Sequence, residues 1–164
     1  MNQTLSPSYP SSGLSDRRGA VPRIAVVYAG WHADLVGRAR EALLNELQRL
    51  EHPPDAVDCF EVPGAFEIPL LAQRLARGGR HRAIVAIGLV VDGGIYRHDF
   101  VARAVIDGLM RVQLENDVPV FSCVLTPQAF HEHSDHQQFF AAHMAKKGAE
   151  AARACLQTLA VKLG

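Results

Sequence analysis

The sequence predicts an α/β protein, a three-layer αβα sandwich built on a doubly wound, four-stranded parallel sheet. Three observations predict it. Strand-like and helix-like segments alternate as βαβαβαβα from residue 23 onward. The strand segments are largely continuous apolar runs, as in strands covered on both faces. Between them, apolar residues recur three and four apart, which is the helical period.

The elements follow in order. Residues 1–20, "MNQTLSPSYPSSGLSDRRGA", are rich in Ser, Pro and Gly and have no periodic apolar face. Ordering them costs roughly 1–2 kcal/mol per residue in backbone entropy, and they have little apolar surface to bury in return. They read as a flexible tail that orders, if anywhere, against a neighbouring subunit. Residues 21–164 then form a single domain. "RIAVVYA" (23–29) is the first strand. Asp34 to Leu50 carries Leu35, Ala39, Leu43, Leu47 and Leu50 on one helical face. "AVDCFEV" (56–62) is the second strand, broken by Pro63 and Gly64. A helix runs from Phe66 to Arg77, and Gly78–Gly79 stop it. "RAIVAIGLVV" (82–91) is the third and most apolar strand. Asp99 to Asn116 is helical, with Val101, Val105, Leu109 and Val112 facing inward. "VPVFSCVL" (118–125) is the fourth strand. Ser134 and Gln137 have capping-box form and open a final helix to about Leu163. Inside that helix Gly148 costs roughly 1 kcal/mol relative to Ala, which points to close backbone approach.

Composition excludes several functions. The chain has 164 residues, 48% of them hydrophobic, with 17 basic and 17 acidic side chains. No basic field suits nucleic acid and no polybasic run suits an anionic membrane. No apolar stretch is long enough to span a bilayer. The start lacks the apolar core of a signal peptide. Cys59, Cys123 and Cys155 are odd in number and lie among apolar residues. They are expected to be buried reduced thiols, in a cytoplasmic protein.

In a parallel sheet of this kind, ligands sit beyond the carboxyl ends of the strands. That rule selects the loops 29–33, 62–67, 92–98 and 126–133. The first holds Trp31, the only tryptophan. It is either an aromatic lid on the core or a stacking surface for a flat heteroaromatic ring. In the second, "VPGAFEIP", Glu67 falls in the first turn of a helix. It either complements the helix dipole or is a carboxylate whose direction is fixed by the prolines on either side. The third is "DGGIYRHDF". Gly93, Gly94 and Ile95 offer backbone N–H groups ahead of a helix, an arrangement suited to an anion. Arg97 adds a charge able to grip phosphate. His98 moves protons near neutral pH. A Gly-Gly turn or an Arg-His pair alone is ordinary surface, but together at the end of the most buried strand they favour a site. His131, His133 and His136 in the fourth segment do not form a metal site, because no fourth ligand has fixed spacing.

Four segments together resemble the 6,7-dimethyl-8-ribityllumazine synthase family. "PGAFEIP" (63–69) is close to a family signature and is the most specific of the four. "GLVVDGGIYRHDFV" (88–101) resembles its strand-loop-helix segment. "VPVFSCVLT" (118–126) resembles its fourth strand, and "KKGAEAA" (146–152) its N-K-G-x-E-A-A helix. The likeness covers about residues 23–160. Trp31, "DGGIYRHDFV" and the His-rich loop resemble the branch often called type II.

The resemblance implies a flavodoxin-like sheet and a transferase reaction. 5-Amino-6-(D-ribitylamino)pyrimidine-2,4-dione condenses with 3,4-dihydroxy-2-butanone 4-phosphate, in the penultimate step of riboflavin synthesis. Neither cofactor nor metal is implied. It also implies sites between adjacent subunits of a pentameric ring, with a decamer of two rings favoured and a sixty-subunit shell as the alternative. Gly64, Ala65, Phe66 and Glu67 carry over as substrate-binding from the first motif, and Val90, Val91, Gly93, Gly94, Ile95 and Arg97 from the second. Ser122 stands where the family has an aromatic residue, and Lys147 matches the Lys of N-K-G. An ungapped match puts Arg97 at the family's catalytic His. Arg stays protonated in proteins and is no base, so proton transfer is assigned to His98. The family's phosphate-binding Arg has no counterpart near Phe139, which leaves Arg97, Lys146 or a loop histidine to replace it.

Two rivals fail on residues. A receiver domain needs acids after the first strand, where this chain has Tyr28-Ala29-Gly30. A flavodoxin-like binder needs a Ser/Thr-rich phosphate loop, and "AGWHAD" is not one. A third alternative keeps the scaffold: a catalytically weak protein that binds lumazine or flavin and serves assembly.

Overall fold

The structure, a computed structural model, describes residues 20–95, 97–127 and 134–161. The elements run β1 (Ile24–Ala29), α1 (Ala33–Arg49), β2 (Val57–Val62), α2 (Ile68–Arg77), β3 (Ala83–Leu89), α3 (His98–Asn116), β4 (Val120–Leu125) and α4 (Ser134–Leu159). Short 3-10 turns precede β2 and α2, at Pro54–Ala56 and Ala65–Glu67. The predicted helix from Phe66 therefore starts as a 3-10 turn, and its α-helical part begins at Ile68.

All four strands are parallel, in the order β2-β1-β3-β4. Ile24 pairs with Val57 on one side and Ala83 on the other, and Ile84 pairs with Val120. Helices α1 and α4 cover one face, where Leu43, Leu47, Met144 and Cys155 pack on Ile24, Val26, Val85 and Ile87. Helices α2 and α3 cover the other, where Ile68, Ala72, Val105 and Leu109 pack on Val27, Ile84 and Ala86. The expected three-layer sheet is what forms.

Position in the sheet separates the strands. β3 is buried along its whole length, and β1 everywhere but Tyr28. β2 and β4 are edges, and several of their residues meet solvent. Cys59 on β2 is exposed, which corrects the expectation of a buried thiol there: an edge strand covers fewer of its side chains. Cys123 and Cys155 are buried. Burial pushes both thiols up to about 12, so neither is a nucleophile near neutral pH.

Gly148 fulfils its predicted role. A Cβ there would sit 2.8 Å from the Ala39 carbonyl carbon, so α4 crosses α1 backbone to backbone. Glu46 of α1 joins the same two helices. Its carboxylate accepts from Arg49 at 2.8 and 2.9 Å and from Arg153 of α4 at 2.8 Å. These partners hold it at about 2, well below the ordinary Glu range. The capping-box side chains of Ser134 and Gln137, and the segment read as a tail apart from Ala20, lie outside the described residues.

Candidate active site

The strand order brings the loops after β1, β2 and β3 side by side at the carboxyl edge of the sheet. Two backbone bonds clip the first to the second: Gly30 N–H donates to Val62 O at 2.7 Å, and Trp31 N–H to Pro63 O at 3.0 Å. His32 then takes left-handed backbone angles, with φ 57°, and α1 begins. This turn lays the Trp31 ring on Gly64. A Cβ on Gly64 would lie 2.6 and 2.7 Å from ring carbons Cε3 and Cζ3, so only glycine fits beneath the ring. Trp31 is 66% exposed. It is therefore no lid on the core, and much of its surface is open to a ligand.

Glu67 turns its carboxylate back on the start of the turn. Its Oε2 accepts the Gly64 N–H at 2.9 Å, which caps the 3-10 turn and fixes the carboxylate beside the tryptophan. Oε1 has no such duty in this contact. Ala65 is buried beneath the corner; a Cβ on Gly88 of β3 would approach its methyl to 3.3 Å. Phe66 is 61% exposed, facing away from the core. Trp31, Gly64 and Glu67 thus form one rigid corner that shows an aromatic surface and a carboxylate.

Val90 and Val91 continue β3. Val90 is buried and its N–H donates to Leu125 O at 2.9 Å. The chain then turns through Gly94, whose φ of 76° suits glycine. The Gly94 N–H, expected to be open to an anion, instead donates to Asp92 Oδ1 at 2.8 Å. Gly93 borders open space, and Ile95 is almost fully exposed.

Arg97 and His98 differ sharply in their surroundings. The Arg97 guanidinium donates to Asp99 at 3.2 and 2.8 Å and lies 4.3 Å over the Phe100 ring. Asp99 raises the Arg97 pKa and is itself held below its usual range by Arg97. The pair is locally neutral, and its guanidinium is engaged by Asp99. His98 opens α3 with a mostly covered side chain, and its Nδ1 is 3.8 Å from Asp92 Oδ1.

Ser122 and Lys147 belong to the other side of the sheet. Ser122 lies on edge strand β4, opposite Ala86, and its Oγ accepts from Val124 N–H at 3.3 Å. Strand spacing puts β4 about 10 Å from β1 and about 14 Å from β2. Lys147 extends from α4 and bonds Glu150 at 2.6 Å. One chain brings Trp31, Gly64 and Glu67 into contact, and sets Asp92 beside Gly94 and His98. It leaves Ser122 and Lys147 at the opposite edge. His131 and His133, and the side chain of His136, lie outside the described residues. Among the described residues, no three or more His, Cys, Asp or Glu side chains cluster to hold a metal ion.

The sequence reading gave no role in the site to two carboxylates, Asp92 and Asp99. Asp92 had a local signal: an Asp two residues before a glycine is the pattern of an Asx turn.

Comparison with known proteins identifies the family. The family model described as 6,7-dimethyl-8-ribityllumazine synthase matches residues 21–162. A 6,7-dimethyl-8-ribityllumazine synthase of Rhodococcus erythropolis is 67% identical over 132 residues, 80% of this chain and 85% of the relative. A protein named 6,7-dimethyl-8-ribityllumazine synthase 2, from Bradyrhizobium diazoefficiens, is 59% identical over 84% of this chain and 82% of its own. Its namesake in Pseudomonas syringae pv. tomato is 52% identical over 84% and 81%. These matches show the family: the chain belongs to the 6,7-dimethyl-8-ribityllumazine synthase family.

Proposed function

We propose that the protein condenses 5-amino-6-(D-ribitylamino)pyrimidine-2,4-dione with 3,4-dihydroxy-2-butanone 4-phosphate to give 6,7-dimethyl-8-ribityllumazine in riboflavin biosynthesis. The observation that carries this reading is the joint corner of Trp31, Gly64 and Glu67 beside the Gly93–His98 turn, within a chain of this family. Trp31 stacks on the pyrimidinedione, and Glu67 takes hydroxyls of the ribityl chain. Gly93, Ile95 and Arg97 hold the phosphate, and His98 moves protons. The chemistry asks little more. The amine adds to the ketone and water leaves; a carbon-bound proton is taken and phosphate departs; the second nitrogen closes the ring and releases a second water. Holding the two reactants together supplies much of the acceleration, and the reading needs no cofactor or metal.

The working unit in this reading is a ring of five, stacked into a decamer, with residues 21–164 as the domain and 1–20 as its tail. Two features support it. Ser122 and Lys147 stand too far across one sheet to meet Trp31 on a shared small ligand, but each edge can complete a neighbour's site. Helices α2 and α3 also leave Leu70, Ile106, Met110 and Leu114 exposed, an apolar surface suited to subunit contact. The three free cysteines fit a cytoplasmic setting. No helix among the described residues is long and apolar enough to cross a membrane.

A second reading is a weakly catalytic lumazine or flavin binder on the same scaffold. The engagement of Gly94 N–H by Asp92 and of Arg97 by Asp99 favours it, since both lower phosphate affinity. Assaying the condensation directly, with purified protein and both substrates, separates the two. Product formation well above the uncatalysed rate supports the synthase. Tight product binding without such turnover supports the binder.

A further inference from the structure

We propose that Asp92 is a positioning residue for His98. It holds the imidazole with its proton on Nδ1, so that Nε2 is the nitrogen presented to the substrate. The inference rests on the reading of His98 as the proton-transfer group and adds the residue that orients it.

Geometry carries the argument. Asp92 Oδ1 lies 2.8 Å from the Gly94 N–H and 3.8 Å from His98 Nδ1. The first is a good hydrogen bond; the second is an approach about 1 Å too long to be one. One carboxylate oxygen therefore bonds the turn and faces the ring. A carboxylate facing Nδ1 favours the tautomer with hydrogen on that nitrogen, since only then does the ring turn a donor toward it. The other charges next to His98 are Arg97 and Asp99, and they are committed to each other at 2.8 Å. Asp99 also acts on the ring through its charge, but the carboxylate placed against Nδ1 is that of Asp92. The side chain of His98 is 24% exposed against 69% for Arg97, so fixing its orientation also fixes what faces the ligand.

A consequence concerns the phosphate. An anion arriving at the Gly94 amide has to displace Asp92 Oδ1. The displaced carboxylate has His98 Nδ1 close by, within a small rotation of hydrogen-bond distance. Anion binding at the turn and orientation of the base are then coupled through one side chain.

Asp92→Asn tests this in the full-length protein. Its amide oxygen still accepts from Gly94, so the turn survives, while the charge facing Nδ1 is gone. The His98 tautomer is read by long-range proton–nitrogen NMR of histidine-labelled protein, with His98→Gln identifying the signals. The expected result is a mainly Nδ1-protonated ring in the wild type and a loss of that preference in Asp92→Asn. kcat should fall about tenfold, far less than the roughly 10⁴-fold loss known for a buried orienting carboxylate, because this contact is longer and half-exposed. The KM for the phosphorylated substrate should stay level or drop, whereas simple loss of loop structure would raise it. An unmoved tautomer overturns the proposal. A shifted tautomer with unchanged kcat overturns it as a statement about the reaction. In that case the kcat of His98→Ala places the fault: if it too is unimpaired, the reading of His98 is what failed.

Discussion

Trp31 rests on Gly64 so closely that a single methyl group cannot come between them. A Cβ on Gly64 would meet the ring at 2.6 and 2.7 Å, nearly 1 Å inside ordinary carbon contact. Gly64→Ala should therefore swing the indole off its seat without touching the core. Product affinity should drop about fivefold or more, close to 1 kcal/mol, and the tryptophan emission change on adding product should shrink. If Trp31→Ala kept product affinity within about twofold, roughly 0.4 kcal/mol, the ring would have no stacking role.

Arg97 and His98 should separate in kinetics. His98→Ala should lower kcat, by up to the roughly 10²–10⁴-fold of a lost general acid–base. The reactants' own tendency to condense once bound holds the loss toward the low end. Arg97→Ala should mainly raise the KM for the phosphorylated substrate. Full kcat in His98→Ala together with a dead Arg97→Ala would assign the reacting position to Arg97.

Gly148 sets two opposing effects against each other. Gly148→Ala gains about 1 kcal/mol of helix propensity. It also drives a methyl into the Ala39 backbone of α1, and neither backbone can yield without parting the helices. Overpacking should win with a net loss of roughly 3 kcal/mol, or a Tm lower by roughly 6–12 °C. Calorimetry showing an unchanged or higher Tm would mean the crossing has slack.

Acid should weaken the α1–α4 contact through Glu46. Its carboxyl is near 2 in the folded chain against an ordinary 4.5, so the folded form favours the charged state. That contribution is fully present above about 4.5 and is lost as pH falls from there toward 2. It amounts to roughly 2–3 kcal/mol. Urea unfolding between pH 6 and 3 should show a steeper decline in the wild type than in Glu46→Gln. Parallel declines would leave the Arg49–Glu46–Arg153 network without weight.

Assembly should be visible directly. Light scattering should give a mass of five or ten chains, and replacing Ile106 and Met110 of α3 by Asp should lower it, because the exposed apolar face would then carry charge. A stable wild-type monomer at micromolar concentration would refute the shared-site arrangement.

The order of strands and helices was legible in the sequence because period and apolar continuity are local properties. So was the position of the loops beyond the carboxyl ends of the strands, which follows from a parallel sheet alone. Trp31, Glu67, Gly94 and His98 stood out as unusual residue types at strand ends, and Gly148 as a helix glycine with a reason to be there. What they do to one another was not legible. The indole seat on Gly64 needs two loops that are clipped together only because β1 and β2 are neighbours. The exposure of Cys59 follows from β2 being an edge strand. The bond from Asp92 to Gly94, the approach of its carboxylate to His98 and the pairing of Arg97 with Asp99 depend on a turn whose backbone angles no periodicity reveals. Sequence patterns determine which elements form. Which donor meets which acceptor is decided when strands from distant parts of the chain pair, and only then do a carboxylate, an amide and an imidazole come within a few ångströms.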